Sequence, residues 1–376
     1  MKIVGLQKNI KQGVFVTSHI TGKNVNLPIL NNLMIKVEES IIKLISTNLE
    51  IGITGIIRGK VEEPGSFTVD ARVLTDYINL LPNKKVELCL QDDNLLIQSE
   101  NYKTKIKGQS AEEYPLIPEI DKTSHFSVKI EDFKNAISQV ILAVSTDENR
   151  MALSGVLFSI ENNNLTLVAT DSYRLAEKKI KLITNNDNEE IKKIIVPTRT
   201  LQELQRILSG DYSDNKEINE IKFYLSDNQI LFALDNVEIV SRLIEEQYPD
   251  YEQIIPKEYK TNCTIDKQEL VRAIKASAIF SKAGINDVNL DFLKDKNTLM
   301  VSAISGQTGE NITNLESKIE GNDNSIIMNS RYLLDGLNNI NSDTVKLEIV
   351  DGNTPCLIKA VGQEQDYLYI VMPIKK

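Results

Sequence analysis

The chain has 376 residues, 41% of them hydrophobic, and a net charge of −10 with a pI of about 5.0. This length exceeds what one hydrophobic core usually supports, so we expect two or three folded domains, and the negative charge taken alone argues against a protein that binds phosphates by counterion release. No run of about eighteen apolar residues occurs, and the residues before Gly13 lack the apolar stretch of a secretion signal, which predicts a cytoplasmic protein.

Six amphipathic helices are predicted, each with apolar residues at three- and four-residue spacing. They are expected at 6–20, 71–81, 131–144, 198–208, 266–282 and 330–338. They alternate with strand pairs along the whole chain, so helices and antiparallel strands are expected within the same domains.

The strand pairs repeat three times. A hairpin with alternating apolar residues is predicted at Leu27–Val37 with Ile41–Thr47, Met151–Ile160 with Leu165–Thr170, and Val288–Leu293 with Thr298–Ala303. A second marker, a strand end running into a helix, starts at Val69, Val196 and Met328. Its offsets are 127 and 132 residues, and those of the hairpin ends are 123 and 133. Because two markers share nearly one period, a threefold repeat is predicted.

Each repeat also has a second strand pair after its second helix. These pairs are predicted at Lys85–Leu90 with Asn94–Ser99, Ile221–Leu225 with Gln229–Leu234, and Val345–Val350 with Pro355–Ala360. The fold class is therefore α+β, with three similar domains of two helices packed on antiparallel sheets. Proline-bearing segments after the first two repeats suit linkers, which predicts domains at 1–123, 124–252 and 253–376.

Few residues of the chain suggest catalysis or metal binding. His19 and His125 are its two histidines, and neither lies in a catalytic spacing. Cys89, Cys263 and Cys356 are too far apart for a zinc motif and suit reduced, buried thiols. We predict no enzymatic activity, no cofactor and no metal site.

One polar segment follows an apolar strand, at Thr170, Asp171, Ser172 and Arg174. On the residues alone, Asp171 could cap a turn and pair with Arg174, or the segment could belong to a functional site. Both interpretations remain open at this point.

The same segment carries a family resemblance. Ala169–Ala176 reads Ala-Thr-Asp-Ser-Tyr-Arg-Leu-Ala, which closely resembles the Ala-Thr-Asp-Gly-His-Arg-Leu-Ala signature of the bacterial DNA sliding clamps, the beta subunits of DNA polymerase III. Other segments match that family in order and spacing over essentially the whole chain, namely Leu27-Pro-Ile-Leu-Asn-Asn, Met151-Ala-Leu-Ser-Gly-Val-Leu-Phe, Val196-Pro, Tyr248-Pro-Asp-Tyr and Val371-Met-Pro-Ile.

The resemblance implies a closed ring of two head-to-tail subunits, with helices around a hole for duplex DNA and sheets outside. It implies a processivity factor that binds the DNA polymerase III catalytic subunit, a clamp loader and other replication and repair proteins. A ring that holds DNA by topology needs little affinity, so an acidic chain is compatible with this role. The six predicted helices carry a net charge of +4 and the rest of the chain −14, which suits a mildly basic lumen in an acidic shell.

The resemblance also places a partner-peptide groove between the second and third domains. Such a groove would hold a short peptide with a glutamine and large apolar side chains. Its residues are expected to be Leu153, Thr170, Ser172, Tyr173, Arg174, Leu175, Pro249, Gln253, Ile254, Asn329, Tyr332, Val371, Met372, Pro373 and Ile374. Ser172-Tyr173 stands where the family has Gly-His, Gln253 where an arginine is common, and Ile374-Lys375 for Met-Arg, so the peptide preference is open.

Two further sets of residues come from the family pattern. The subunit contact is expected between an edge strand and a helix at Thr104, Ile106, Lys107, Ile279 and Phe280. Contacts to DNA phosphates, without base readout, are expected at Lys23, Asn24, Arg150 and Met151.

Two other functional classes remain open on the residues alone. A repeat-built adaptor that binds proteins but not DNA would keep the three domains, and ring closure would distinguish it. A nuclease or nucleotide enzyme would use Asp171 and neighbouring acids, and the missing metal-ligand spacing disfavours it.

Overall fold

The computed structural model describes residues 1–22, 26–147, 149–185, 192–210, 219–282, 284–362 and 366–375. Within these residues no helix is long and apolar enough to cross a membrane.

Six α-helices occur in the described residues, and each falls on a helix that the sequence predicts. They are α1 (Gln7–Ser18), α2 (Ala71–Leu80), α3 (Ile130–Ile141), α4 (Thr198–Leu208), α5 (Lys267–Ala278) and α6 (Ser330–Asn338). The six predictions are confirmed, although α3 and α5 end three and four residues earlier than expected. Three starts are well marked, because Asp70, Asp266 and Asn329 each accept a hydrogen bond from a first-turn backbone N–H.

Each third of the described chain contributes nine strands. The first nine are β1 (Lys2–Leu6), β2 (Asn32–Val37), β3 (Ile42–Thr47), β4 (Ile51–Ile57), β5 (Gly59–Glu63), β6 (Gly65–Asp70), β7 (Lys85–Gln91), β8 (Asn94–Ser99) and β9 (Tyr102–Gln109). The next nine are β10 (Phe126–Lys129), β11 (Gly155–Glu161), β12 (Asn164–Thr170), β13 (Arg174–Lys181), β14 (Thr184–Asn185), β15 (Lys192–Pro197), β16 (Glu220–Leu225), β17 (Gln229–Leu234) and β18 (Val237–Arg242). The last nine are β19 (Thr261–Asp266), β20 (Asp287–Leu293), β21 (Thr298–Ser305), β22 (Gly309–Glu316), β23 (Lys318–Gly321), β24 (Asn324–Asn329), β25 (Thr344–Ile349), β26 (Cys356–Ala360) and β27 (Tyr367–Val371).

The predicted strand pairs are present. Antiparallel pairing joins β2 to β3, β11 to β12 and β20 to β21, and likewise β7 to β8, β16 to β17 and β25 to β26. The predicted strand starts at Leu27 and Met151 were wrong, because Pro28–Asn31 and Met151–Ser154 are 3₁₀ turns. In the first case Pro28 fixes φ and has no N–H to give to a strand ladder.

The chain packs as two compact units, each built around its own sheets. The first contains the described residues of Met1–Glu131 and Arg199–Leu243 with the short strand β14, and the second contains Asp132–Leu182, β15 and the chain from Ile244 onward. These units follow the sheets and do not follow the predicted ranges 1–123, 124–252 and 253–376, which stay predictions.

The first unit holds one sheet in the strand order β14-β10-β16-β17-β18-β4-β3-β2-β6-β9-β8-β7-β1-β5. Helix α1 packs on α2 and on β3 and β4. Their apolar sides meet in one core, to which α1 gives Ile10 and Val14 and α2 gives Leu74 and Ile78. Burial of these side chains is what holds the helices on the sheet.

The second unit holds two sheets, ordered β15-β11-β12-β13-β27-β26-β25-β19-β23 and β22-β21-β20-β24. Helix α5 packs on α6 and on β21 and β22. Helix α6 approaches β27 closely at Gly336, where a Cβ would lie 2.1 Å from a ring carbon of the buried Tyr369. Glycine at this position therefore sets how near the helix lies to the strand.

The same junction recurs in the two units, between strands that are far apart in sequence. In the first unit β4 pairs antiparallel with β18, with Ile51 opposite Ser241. In the second unit β13 pairs antiparallel with β27, with Arg174 opposite Val371. In both cases the fourth strand of one repeat pairs with the last strand of the next.

The turn that precedes each of these strands is also repeated. The Asn48 carboxamide oxygen accepts from the N–H groups of Glu50 and Ile51, as the Asp171 carboxylate accepts from those of Tyr173 and Arg174. The third residue of each turn has a positive φ, 75° at Leu49 and 78° at Ser172. The polar segment after β12 is thus part of the repeated architecture, whatever its function.

The linker after β18 covers one face of the nine-stranded sheet. Tyr248, Tyr251 and Ile255 pack against a cluster that contains Leu175 and Ile370. Glu177 of β13 lies beneath this cover, and burial raises the pKa of its carboxyl above the usual range, although the nearby Tyr251 hydroxyl and Lys179 oppose the shift.

This carboxyl predicts a pH dependence of stability. A folded-state pKa that is raised means that the folded protein holds the proton more tightly, so the free energy of unfolding falls as pH rises through the titration range of Glu177. We expect Glu177→Gln to increase the free energy of unfolding at about pH 8, on the order of 1 kcal/mol, and to have little effect at about pH 4.5. Urea unfolding followed by circular dichroism at both pH values measures the difference.

The matched control is Glu161→Gln, since Glu161 is exposed at the end of β11 in the same unit. It should leave stability unchanged at both pH values. A gain for Glu177→Gln that does not depend on pH would contradict the assignment to carboxylate burial.

Candidate functional site

The predicted groove is centred on the turn between β12 and β13. The Thr170 hydroxyl donates to the Arg174 carbonyl (2.7 Å) and accepts from the Ser172 N–H (3.1 Å). One Asp171 carboxylate oxygen accepts from two backbone N–H groups, both at 2.9 Å. Asp171 therefore caps the turn, which confirms the structural interpretation that the sequence left open.

Arg174 joins this turn to helix α6. Its Nε donates to Asp171 (3.0 Å), and a terminal nitrogen donates to the carboxylate of Asp335. The guanidinium also lies over the ring of Tyr332, 4.6 Å from the ring centre. Because the Arg174 side chain is only 13% exposed, these contacts hold it in one orientation.

An aromatic pair lies beside Arg174. The rings of Tyr173 and Tyr332 stack with their centres 6.3 Å apart and their planes 23° from parallel. Burial and the nearby Asp171 carboxylate raise the pKa of Tyr332, so its hydroxyl is neutral at physiological pH. Tyr173 remains 57% exposed and offers an open ring face to a ligand.

The end of the chain forms a further side of the site. Val371 pairs with Arg174, and the Met372 N–H donates to the Tyr173 carbonyl (2.8 Å). Ile374 continues by donating its N–H to Ile327 (2.8 Å). Backbone bonds thus fix Met372 and Pro373 next to the turn.

Helix α6 begins at this site. The Asn329 side chain caps the helix by accepting from the N–H groups of Arg331 and Tyr332. The hydroxyl of the buried Tyr369 donates to the Tyr332 carbonyl (2.9 Å). These bonds place the Tyr332 ring beside Arg174 and Tyr173.

The remaining groove residues are spread over neighbouring elements of the second unit. Leu153 is buried in the 3₁₀ turn before β11. Pro249, Gln253 and Ile254 belong to the linker that packs near Leu175, where the Gln253 amide donates to Asp250 (2.8 Å). The contacts therefore directly join Thr170, Ser172, Tyr173, Arg174, Asn329, Tyr332, Val371 and Met372. Pro249, Gln253 and Ile254 stand in the linker whose Tyr248, Tyr251 and Ile255 pack against the cluster that contains Leu175.

Two charged residues at this site were not predicted as part of it. Asp335 binds Arg174, and Arg150 donates to the Ser172 hydroxyl (3.0 Å). Asp335 has a sequence signal, since an acid stands four residues after the arginine of each repeat, at Asp76, Glu203 and Asp335. Arg150 was expected to contact DNA, and its bond to Ser172 depends on a hydroxyl that the family's glycine lacks.

The other predicted residues lie elsewhere. Thr104, Ile106 and Lys107 are on β9, where Ile106 is buried in the core and Lys107 is exposed. Ile279 is 70% exposed just after α5, and Phe280 is half-buried. Lys23 and Asn24 lie outside the described residues, and Met151 is 59% exposed.

The described residues contain no group of three or more His, Cys, Asp or Glu side chains that could hold a metal ion. The site instead combines apolar walls, exposed aromatic surface and a few fixed polar groups. Such an arrangement suits recognition of a peptide.

Family models match nearly the whole chain in three consecutive pieces. They are the N-terminal domain of the DNA polymerase III beta subunit at residues 6–118, the central domain at 127–250 and the C-terminal domain at 252–375. A beta sliding clamp of Staphylococcus aureus is 30% identical, with 98% of this chain and 99% of that protein covered. A beta sliding clamp of Staphylococcus epidermidis is 29% identical over the same shares.

Solved structures agree in fold over the full length. The DNA polymerase sliding clamp from Bacillus subtilis has a TM-score of 0.93 at 26% identity and covers 100% of this chain and 99% of that one. The DNA polymerase III beta subunit from Thermotoga maritima has a TM-score of 0.91 at 26% identity with the same coverage. The chain therefore belongs to the DNA polymerase III beta-subunit family, the bacterial sliding clamps of DNA replication.

Proposed function

We propose that two copies of this chain close head to tail into a ring around duplex DNA, and that the ring tethers DNA polymerase III and other DNA-processing proteins through the groove at the β12–β13 turn. The observation that carries the ring is the repeated junction. The pairing of a fourth strand with a last strand is made twice within the chain. Strands β22 and β9 are the fourth strand of the third repeat and the last strand of the first, and they are left for a third pairing of the same kind.

Both strands have an open edge in the described part of the chain. Strand β22 is the last strand of its four-stranded sheet. Strand β9 pairs along its length with β8, and its other edge meets β6 only at Gly108 and Gln109. An open edge has unpaired backbone N–H and C=O groups that can bind another strand. Pairing β22 with β9 of a second copy would therefore satisfy the hydrogen-bonding groups of both edges.

The repeat also predicts the register of this pairing. Ser46, Ala169 and Ala303 occupy matching helix-facing positions in their hairpins, and their partners are Ile53, Ala176 and Asn311, which puts Asn311 in the place of Ile53 and Ala176. Tyr102 and Val237 both follow the same two-residue turn, which puts Thr104 in the place of Ile239. Since Ile53 pairs with Ile239, we expect Thr104 opposite Asn311 of the second copy.

The surfaces beside the two edges are complementary. Near β22, Ile279, Ile304 and Ile312 are 70%, 64% and 55% exposed, and on the other surface Val73 and Leu80 of α2 are 49% and 77% exposed. Burying such side chains stabilises an interface. Strand β9 carries Lys103, Lys105 and Lys107, and β22 carries Glu310 and Glu316, so the two edges carry opposite charges, and this register sets Lys105 opposite Glu310.

The internal junction also supports Ile279 as an interface residue. Ile279 follows α5 where His19 follows α1, and the His19 ring lies 2.5 Å from the Glu203 carboxylate of the next repeat. Ile106 would contribute through its backbone, because its side chain is already buried in its own core. Thr104, Lys107 and Phe280 would flank the seam.

The DNA would pass along the helices, which carry a net charge of +4 against −14 for the rest of the chain. Weak phosphate contacts suffice, since a closed ring cannot dissociate sideways. Lys23, Asn24 and Met151 stay candidates for such contacts. Arg150 would first have to leave Ser172 and Asp147, so we favour a role for it at the groove.

This role is mechanical and requires no catalytic step, cofactor or metal. A clamp loader would open the ring, and polymerase and repair proteins would compete for the groove. The protein would act in the bacterial cytoplasm, where the chromosome lies.

A disulfide across the predicted seam tests the ring. Facing residues of antiparallel strands have Cα atoms about 4.5–5.5 Å apart, which suits a disulfide. We expect Thr104→Cys combined with Asn311→Cys to form covalent dimers on oxidation. If the dimer is first loaded on circular DNA by a bacterial clamp loader with ATP, it should stay with the circle in SDS and be released when the DNA is cut.

The register control is Thr104→Cys combined with Ile312→Cys, which places the second thiol on the opposite face of the strand. It should cross-link much less. Equal cross-linking of both pairs would reject the register, and SDS-resistant retention on linear DNA would reject topological binding.

The groove proposal predicts a role for Tyr173. Replacing it with alanine removes an exposed ring without removing any hydrogen bond of the turn, because the turn bonds only its backbone. We expect Tyr173→Ala to weaken binding of a peptide with one glutamine and two large apolar residues by about tenfold. Fluorescence anisotropy measures the affinity.

Val361→Ala is the control, since Val361 is 43% exposed and outside the groove. The affinity of the Val361→Ala variant for the peptide should equal that of the parent protein. An unchanged affinity of Tyr173→Ala would remove Tyr173 from the binding surface.

A further inference from the structure

A pocket of about 330 Å³ lies between the nine-stranded sheet and the linker after β18. Its floor comes from the sheet, through Leu157 and Ile195, and its other side comes from Tyr248 and Tyr251 of the linker. Pro249 lines this pocket and also belongs to the predicted groove, so the two sites adjoin. Sequence analysis did not assign this pocket.

The rim of the pocket is acidic. Glu246, Asp250 and Glu252 line it, and Lys193 is the base among its described lining residues. Neither Glu246 nor Glu252 has an ion-pair partner in the described part of the chain, and Asp250 accepts only from the neutral Gln253 amide. By contrast, the buried acids Glu203 and Glu348 each pair with a base.

Lys193 offsets only part of the charge of this rim, since three acids face one base among the described lining residues. Arg174 is held by Asp171 and Asp335, and Arg150 by Asp147. Glu177 lies close enough to Glu252 for the two charges to interact, which adds to the negative potential. Unpaired carboxylates around apolar walls attract a cation that has an apolar stem.

We propose that this pocket takes a lysine or arginine side chain next to the anchored segment of a partner peptide. The aliphatic stem would lie against Leu157, Tyr248 and Tyr251, and the charged end would reach Glu246 and Glu252. This inference rests on the proposed groove, and it adds a preference for partner peptides with basic residues beside the anchored segment. The departure at Gln253 fits, because an arginine there would supply a competing cation beside Asp250.

Peptides with one anchor and different flanks test the proposal. The anchor contains one glutamine and two large apolar residues. In one set of peptides, the anchor is preceded by two lysines, two alanines or two glutamates. In a second set, the same pairs follow the anchor. At low salt we expect the lysine flank, in one of the two sets, to bind about fivefold tighter than the alanine flank, and the glutamate flank to bind weaker. Isothermal titration with the full-length protein gives the affinities.

Two variants with the same change in net charge distinguish an effect of the pocket from an effect of the protein's overall charge. Glu246→Gln with Glu252→Gln should abolish the lysine advantage and leave binding of the alanine-flanked peptide unchanged. Glu161→Gln with Asp295→Asn removes the same charge from other exposed positions of the second unit and should keep the advantage.

Three results would overturn the proposal. They are equal affinities for all flanks, a lysine advantage that survives in the pocket variant, and an equal loss in both variants, which would indicate attraction by the net charge alone. Failure of the alanine-flanked peptide to bind the parent protein would instead reject the groove itself, and the pocket with it.

Discussion

Antiparallel pairing between the fourth strand of one repeat and the last strand of the next is the interaction on which the rest of the structure depends. It joins β4 to β18 and β13 to β27. The bonds are made by backbone groups, so they place few demands on side chains and survive divergence of the repeats. Side chains differ accordingly at the helices beside each junction. His19 contacts Glu203 in the first unit, whereas the Gln139 amide donates to the Asn339 carbonyl in the second.

The candidate groove is a consequence of the second junction. Its turn leads directly into β13, and the first paired residue, Arg174, stands opposite Val371 at the end of β27. The junction therefore brings together residues that are about two hundred positions apart, and the Arg174–Asp335 ion pair secures helix α6 to the same place. The first junction has the same turn but a different surface. At the position of Leu175 it has Gly52, and the linker residue Ile117 fills the space that a side chain would take. One architecture thus gives an open site in one unit and a filled one in the other.

The sequence was sufficient for the elements whose signals are local. Apolar spacing predicted all six described helices, and alternation with polar turns predicted the hairpins. The errors are local as well, such as the strand expected from Leu27, where Pro28 imposes a 3₁₀ turn. Asp171 was recognisable as a turn cap, because the residue type and its position after a strand point to it. The ion-pair partner of Arg174 could not be recognised from the sequence, since Asp335 lies 161 residues away and only the fold brings the two side chains together. The acidic pocket was missed for the same reason, because its floor and rim come from three separate segments.

The distribution of charge explains how an acidic chain can serve DNA. A protein that held DNA by affinity would need a strongly basic surface and would lose binding as salt rises. The proposed ring needs only to avoid repelling the duplex in its lumen, and the helices, with their small positive charge, would meet that requirement. The remaining negative charge then has a use of its own. On the outside of the proposed ring it would disfavour contacts with DNA other than the encircled segment. At the linker after β18, four acids within Glu245–Glu252 would give the proposed partner-binding surface a charge opposite to that of DNA-binding proteins. Proteins that bind DNA carry positive charge for that contact, so the acidic surface of the proposed ring would repel stray DNA and attract the proteins that work on DNA.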